Sequence, residues 1–172
     1  NVITGARSVP IAEELLGNPL VKKIGFTGST EVGKSLMERA AKQIKRISFE
    51  LGGNAPFIVF EDADLAAAVE GAVAIKYLRV GGQSCICANR LYVQETIADR
   101  FIPAFVEKVK ALKVGPGFEP GMQVGPLINE EGRKKVHGLV EDAVARGATV
   151  LAGGGPLKEG PLAKGYFYAP TV

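Results

Sequence analysis

The chain has 172 residues, 47% of them hydrophobic and 23% charged, with a formal net charge of +3. That balance excludes a disordered or collagen-like chain, the charge is too weak to imply a nucleic-acid partner, and no run approaches the roughly twenty uninterrupted apolar residues of a membrane-spanning helix. Two Cys and one His cannot build a disulfide framework or an ordinary Cys/His zinc centre, so no metal is expected.

In chain order, Lys22–Thr27 reads as a short strand and Gly28-Ser29-Thr30 as the turn after it. Val32, Leu36, Met37, Ala40 and Ile44 recur at helical spacing, so an amphipathic helix is expected through them. Arg46–Leu51 alternates polar and apolar residues as a half-buried strand does, and stops at Gly52-Gly53, the expected domain boundary. Pro56–Phe60 is continuously apolar, as in a strand buried on both faces. Asp62 or Asp64 can cap the Ala-rich helix that follows, through about Tyr77. A Gly-rich turn at Gly81–Cys85 leads to a strand at Arg90–Val93 and a helix from Ala98 to Ala111. Val114–Leu127 reads as loop, Asn129 as the cap of a helix to about Arg146, and Thr149–Ala152 as a further strand. Strands alternating with helices predict an α/β architecture with a largely parallel sheet. The chain opens without Met at Asn1 and closes in an extended-looking run, Tyr166–Val172, so it is expected to be part of a longer polypeptide whose targeting segments are not in view.

Two segments carry chemistry. Gly28-Ser29-Thr30-Glu31-Val32-Gly33-Lys34-Ser35 satisfies G-x-x-x-x-G-K-[ST] between a strand and a helix, the setting of a phosphate-binding loop. A helix start favours any anion. The pattern therefore fits a P-loop nucleotide triphosphatase, with Lys34 on phosphate and Ser35 on Mg²⁺, but equally a dinucleotide pyrophosphate or a plain Ser29 helix cap. The second segment is Gly82-Gln83-Ser84-Cys85-Ile86-Cys87. Cys85, among flexible and polar neighbours, is placed as a nucleophile, whereas Cys87 is placed as a packed small hydrophobe. His137 lies far along the chain and is expected on an exposed helix face. Glu50, at a strand end before two glycines, is the better candidate for a general base.

Phe26–Gly33, Glu50-Leu51-Gly52-Gly53-Asn54 and Gly82–Cys85, in this order, resemble the NAD(P)-dependent aldehyde dehydrogenase superfamily, and Cys85-Ile86-Cys87-Ala88-Asn89-Arg90 is most similar to its succinate-semialdehyde members. The resemblance continues through Val124–Ile128 and Tyr166–Val172. It implies that residues 1–52 end a Rossmann-like NAD(P)-binding domain and that residues 53–172 begin an α/β catalytic domain carrying the thiol. It also implies that Lys34 and Ser35 match the P-loop pattern by coincidence.

In the cofactor domain, the resemblance puts the Gly28–Gly33 turn and Ser29 on the pyrophosphate, Val32 and Gly5 by the adenine, and Thr27 and Leu51 by the nicotinamide of NAD or NADP. Cys85 becomes the nucleophile, Glu50 the base, Arg79 the cation for a substrate carboxylate, and Cys87 a possible redox partner of Cys85. Cys85 lies 35 positions after Glu50, one more than is usual in the family, with the additional residue placed within Lys76–Gly81. Counting back from Cys85 selects Arg79, and counting forward from Glu50 selects Leu78. The implied full-length protein is a homo-oligomer, dimer or tetramer, of the cytoplasm or mitochondrial matrix, which oxidises a small aldehyde. The chain by itself is expected to be inactive, and a CoA-acylating or inactive homologue is the other reading within the family.

Overall fold

The computed structural model describes residues 1–172 and resolves them into two units, Asn1–Gly53 and Asn54–Val172. In the first, helix α1 (Ser8–Gly17) precedes strand β1 (Lys23–Gly28), helix α2 (Thr30–Ala41) and strand β2 (Arg46–Leu51). β1 and β2 pair in parallel, from Lys23 opposite Arg46 to Gly28 opposite Leu51. The β-α-β crossover expected from the alternating pattern is therefore present. Helix α1 precedes Lys22, the start of the first element expected from the sequence.

Helix α2 departs from its expected extent. It ends at Ala41, and Ile44 lies beyond it with φ +54° and 92% exposed. The Lys45 amide donates to Ala40 O and the Ile44 amide to Ala41 O, at 3.1 Å each. This is a Schellman turn with isoleucine in the left-handed position that glycine usually fills. The chain must reverse here to start β2, and helical periodicity alone does not reveal that. Val32 and Met37 are also exposed, and only Gly33 and Ala40 of α2 are buried. The buried Lys45 ammonium anchors the turn by donating to the carbonyls of Asn18 and Val21.

In the second unit, strand β3 (Ala55–Val59) leads to helix α3 (Leu65–Val73), capped by Asp64, whose Oδ1 accepts from the Ala67 amide at 3.1 Å. A π-turn (Ala74–Leu78) prolongs α3, so the helical run still reaches Tyr77. A short 3₁₀ turn (Val80–Gly82) then leads to strand β4 (Ala88–Val93) and helices α4 (Glu95–Lys110) and α5 (Glu130–Ala145). Asn129 caps α5 through its Oδ1 and the Gly132 amide, 2.8 Å apart. β3 and β4 are parallel neighbours in a two-stranded sheet.

The core of this unit forms where α4 presents Ile97, Phe101, Phe105 and Val109, one residue per four, towards α3 and Val59. Phe101 and Phe105 stack with centroids 5.7 Å apart. Each such buried aromatic side chain contributes about 1.5–3 kcal/mol.

Two expectations fail in this unit. β3 is buried on one face only: Val59 is buried, while Ile58 and the following Phe60 are 58% and 62% exposed. The sheet has just two strands and the core lies on one side of it, so the apolar run outlines a face that this chain leaves uncovered. Thr149–Ala152 is not a strand. Its backbone bonds are those of Leu151 and Ala152 with Val172, too few for a ladder, because no neighbouring strand runs alongside. No helix is long and apolar enough to cross a membrane.

Candidate active site

In the first unit, the C-terminal ends of β1 and β2 meet the start of α2. Thr27 stands opposite Glu50, and Gly28 opposite Leu51. Side chains alternate along a strand, so Phe49 and Leu51 face α2 while Thr27 and Glu50 face the other way. The α2 side is tight: a Cβ at Gly33 would lie 2.8 Å from Leu51 Cδ2 and 3.6 Å from Phe49 Cδ2. Glycine there lets the helix settle onto β2. Thr27 and Leu51, paired by expectation, thus project from opposite faces of the sheet. Glu50 is exposed and forms no ion pair.

Ser29 caps α2, its Oγ accepting from the Val32 amide at 3.3 Å, and its carbonyl accepts from the Gly33 amide at 3.0 Å. The Thr30 and Glu31 amides have no partner in the chain. These are the free donors of a helix start, and with the helix dipole they suit an anionic group such as a pyrophosphate. The residues present therefore fit a dinucleotide. The side chains of Lys34 and Ser35 are exposed and form no hydrogen bond or ion pair. Gly5 stands apart, before α1, where a Cβ would come 3.2 Å from Ile11 Cδ1.

In the second unit, the segment between the π-turn and β4 carries the thiols. Val80, Gly81 and Gly82 take φ of +51°, +59° and +83° in succession. Cys85 is exposed, and its own backbone N–H makes no hydrogen bond within the chain. Cys87 is buried, 1% exposed, and its amide donates to Ser84 O at 3.1 Å. The two thiols thus occupy the different environments expected of them, and both are free. Arg79 is exposed, immediately after the π-turn.

Lys76, Gln83 and Tyr77, to which the sequence reading assigns no site role, frame this segment. Lys76 Nζ lies 3.6 Å from Cys87 Sγ and 2.8 Å from Asn89 Oδ1. Gln83 Oε1 accepts from the Ile128 amide at 2.9 Å, and Nε2 reaches Pro126 O at 3.3 Å. Tyr77 donates its hydroxyl to Thr171 O at 2.6 Å. Burial, and secondarily the nearby Cys87 thiol, push the Tyr77 phenol well above the ordinary tyrosine range. His137 lies on a partly exposed face of α5 and also has partners there: its Nδ1 lies 3.0 Å from the Tyr168 hydroxyl and its Nε2 3.7 Å from Glu141 Oε1. Burial first and Glu141 second raise the Tyr168 phenol. A cavity of about 820 Å³ runs between α5, the π-turn and the terminal segment, and Tyr77, Gln83 and Tyr168 contribute to its wall.

Comparison with known proteins identifies the family. Residues 1–172 match the family model described as the aldehyde dehydrogenase family. The chain is 51% identical over 172 residues to the succinate-semialdehyde dehydrogenase [NADP(+)] GabD of Escherichia coli, covering all of this chain and 34% of that protein. It is likewise 51% identical over its whole length to a glutarate-semialdehyde dehydrogenase of Pseudomonas putida, again 34% of that protein. A crystal structure of an NADP-dependent enzyme of E. coli superposes with a TM-score of 0.92 at 50% identity, covering 99% of this chain and 34% of that one. The chain therefore spans about a third of the length of the relatives it matches.

Proposed function

The chain belongs to the aldehyde dehydrogenase family, and from that premise we propose that its full-length protein oxidises succinate semialdehyde, or a close ω-carboxylated homologue, to the corresponding acid with NAD or NADP. The observation that carries this reading is the exposed Cys85 thiol in a turn where the residue's own N–H is unengaged. The semialdehyde specificities of two relatives at 51% identity support the substrate class.

Cys85 Sγ, as thiolate, adds to the aldehyde carbonyl and forms a tetrahedral hemithioacetal. The Cys85 N–H is free to donate to the oxyanion that develops. The dinucleotide, when bound, supplies the hydride acceptor. Ser29, the free amides of Thr30 and Glu31, and Val32 would hold it at the start of α2, with Thr27 and Leu51 at the strand ends and Gly5 towards the adenine. The acyl group remains on Cys85 as a thioester. Glu50 takes a proton from the water that hydrolyses it.

Arg79 is the cation assigned to the substrate carboxylate. A π-turn accommodates one more residue than an α-turn, and Ala74–Leu78 is such a turn immediately before Arg79. The π-turn supports the reading in which the additional residue is absorbed upstream and Arg79, rather than Leu78, keeps its register with Cys85. The unit to Gly53 is assigned to cofactor binding and the unit from Asn54 to the thiol chemistry. Cys87 would serve as a redox partner of Cys85 only by leaving its buried place beside Lys76.

The test is NAD or NADP reduction by the full-length protein with succinate semialdehyde. Cys85→Ala is expected to abolish turnover, and an unchanged rate overturns the proposal.

A further inference from the structure

The turn before Cys85 follows a path that its own sequence does not favour. Glycine enters the left-handed region freely, but valine, branched at Cβ, is disfavoured there. Val80 at φ +51° therefore persists only because its surroundings impose it. Gln83 supplies the constraint. Its backbone N–H and its side-chain Nε2 both donate to the Val80 carbonyl, at 3.1 and 3.2 Å. The same Nε2 reaches Pro126 O at 3.3 Å, while Oε1 accepts from the Ile128 amide at 2.9 Å. The 126–128 segment is itself anchored, since the Leu127 amide donates to Tyr166 O at 3.0 Å. One side-chain amide thus closes the strained turn and ties it to a second loop, two residues before the thiol. On the far flank, Lys76 bonds Asn89 Oδ1 and so ties the residues after the thiol back to the π-turn.

We propose that Gln83 is a positioning residue for Cys85: by clamping the left-handed turn to the 126–128 segment, it fixes where the thiol and its backbone N–H stand when a carbonyl is attacked. The proposal rests on the reading of Cys85 as nucleophile. A primary amide suits the task because it donates to two carbonyls while accepting from an N–H. Glutamate would retain the acceptor and lose both donors, setting a charge against the Val80 and Pro126 carbonyls. Alanine would remove all three side-chain bonds. A misplacement of about 1 Å at a reacting atom can cost about 100-fold in rate, so loosening the turn should appear in the chemical step.

The experiment uses the full-length protein with Gln83→Ala and Gln83→Glu. It measures kcat and KM with succinate semialdehyde, the rate of Cys85 alkylation by iodoacetamide resolved from Cys87 by fragment-ion masses, and the melting temperature. Both variants should lower kcat by about 10- to 100-fold, leave the KM for the dinucleotide unchanged, and alter the alkylation rate of Cys85. Adding Val80→Gly to Gln83→Ala should recover part of kcat, because glycine holds the left-handed turn unaided. A merely structural role would lower the melting temperature and leave kcat per folded enzyme and the alkylation rate unmoved, and that result overturns the proposal. If Cys85→Ala retains full turnover while the Gln83 variants still change alkylation, the oxidation reading fails and the clamp survives. If Cys85→Ala is inactive and the Gln83 variants behave as wild type, the clamp alone fails.

Discussion

Glu50 stands directly opposite Thr27 in the parallel register of β1 and β2, and both side chains project from the face that α2 leaves open. No cation is bonded to the Glu50 carboxylate, so it is free to accept a proton from water. In the full-length protein, Glu50→Gln should slow thioester hydrolysis by about 10²–10⁴-fold, the usual worth of a general base, while acylation of Cys85 proceeds. Rapid-mixing kinetics should then show a burst of reduced dinucleotide followed by a collapsed steady state. An unchanged steady state would instead favour a CoA-acylating enzyme, which needs no base for water.

Ser29 and Lys34 distinguish the two phosphate-binding readings of one motif. Ser29→Ala removes the α2 cap and should destabilise the first unit by about 1 kcal/mol, with a raised KM for NAD or NADP. Lys34→Ala should change neither quantity, since its side chain is exposed and without a partner. Mg²⁺-dependent ATP or GTP binding that disappears in Lys34→Ala, followed by calorimetry, would establish the P-loop reading instead.

Ile44 holds a backbone conformation that costs a β-branched residue about 1–2 kcal/mol, and with 92% exposure it recovers little by burial. Ile44→Gly should therefore stabilise the protein by about 0.5–1 kcal/mol after the chain-entropy cost of glycine. Denaturant midpoints of the two proteins measure it, and a loss of stability on substitution would contradict the Schellman geometry.

Tyr77 makes stability depend on alkaline pH. Its phenol is raised in the folded state, chiefly by burial, so above the ordinary tyrosine pKa of about 10 the unfolded chain releases a proton that the folded one keeps. Stability is fully present below that pH and falls as pH rises past it. Tyr77→Phe, which loses the hydroxyl bond to Thr171, should cost about 1 kcal/mol at neutral pH. The gap to wild type should narrow between about pH 8 and about pH 11, as read from denaturant midpoints at the two values. A gap that widens over that interval would refute the assignment.

Local chemistry was legible in the sequence. Ser29, Asp62 or Asp64, and Asn129 announce helix starts because capping involves a side chain and an amide only three residues away, and the fold selects Asp64 of the two aspartates. The alternation at Arg46–Leu51 and the strand–turn–helix around Gly28 are equally short-range, as are the opposite settings of Cys85 and Cys87. The features that needed the folded chain depend on residues far apart in sequence. Ile44 continues the α2 periodicity, yet the carbonyls of Asn18 and Val21 hold Lys45 where the chain has already turned back. Ile58 reads as core, but burial requires a covering layer, which two strands and helices on one side do not supply. Gln83 bonds Pro126 and Ile128, more than forty positions away, and His137 meets Tyr168 across 31 positions. Residue type and spacing thus determined which groups can carry the chemistry, because reactivity and capping are properties of short segments. How the thiol turn is held was decided only by tertiary structure, because the bonds that hold it cross from one loop to another.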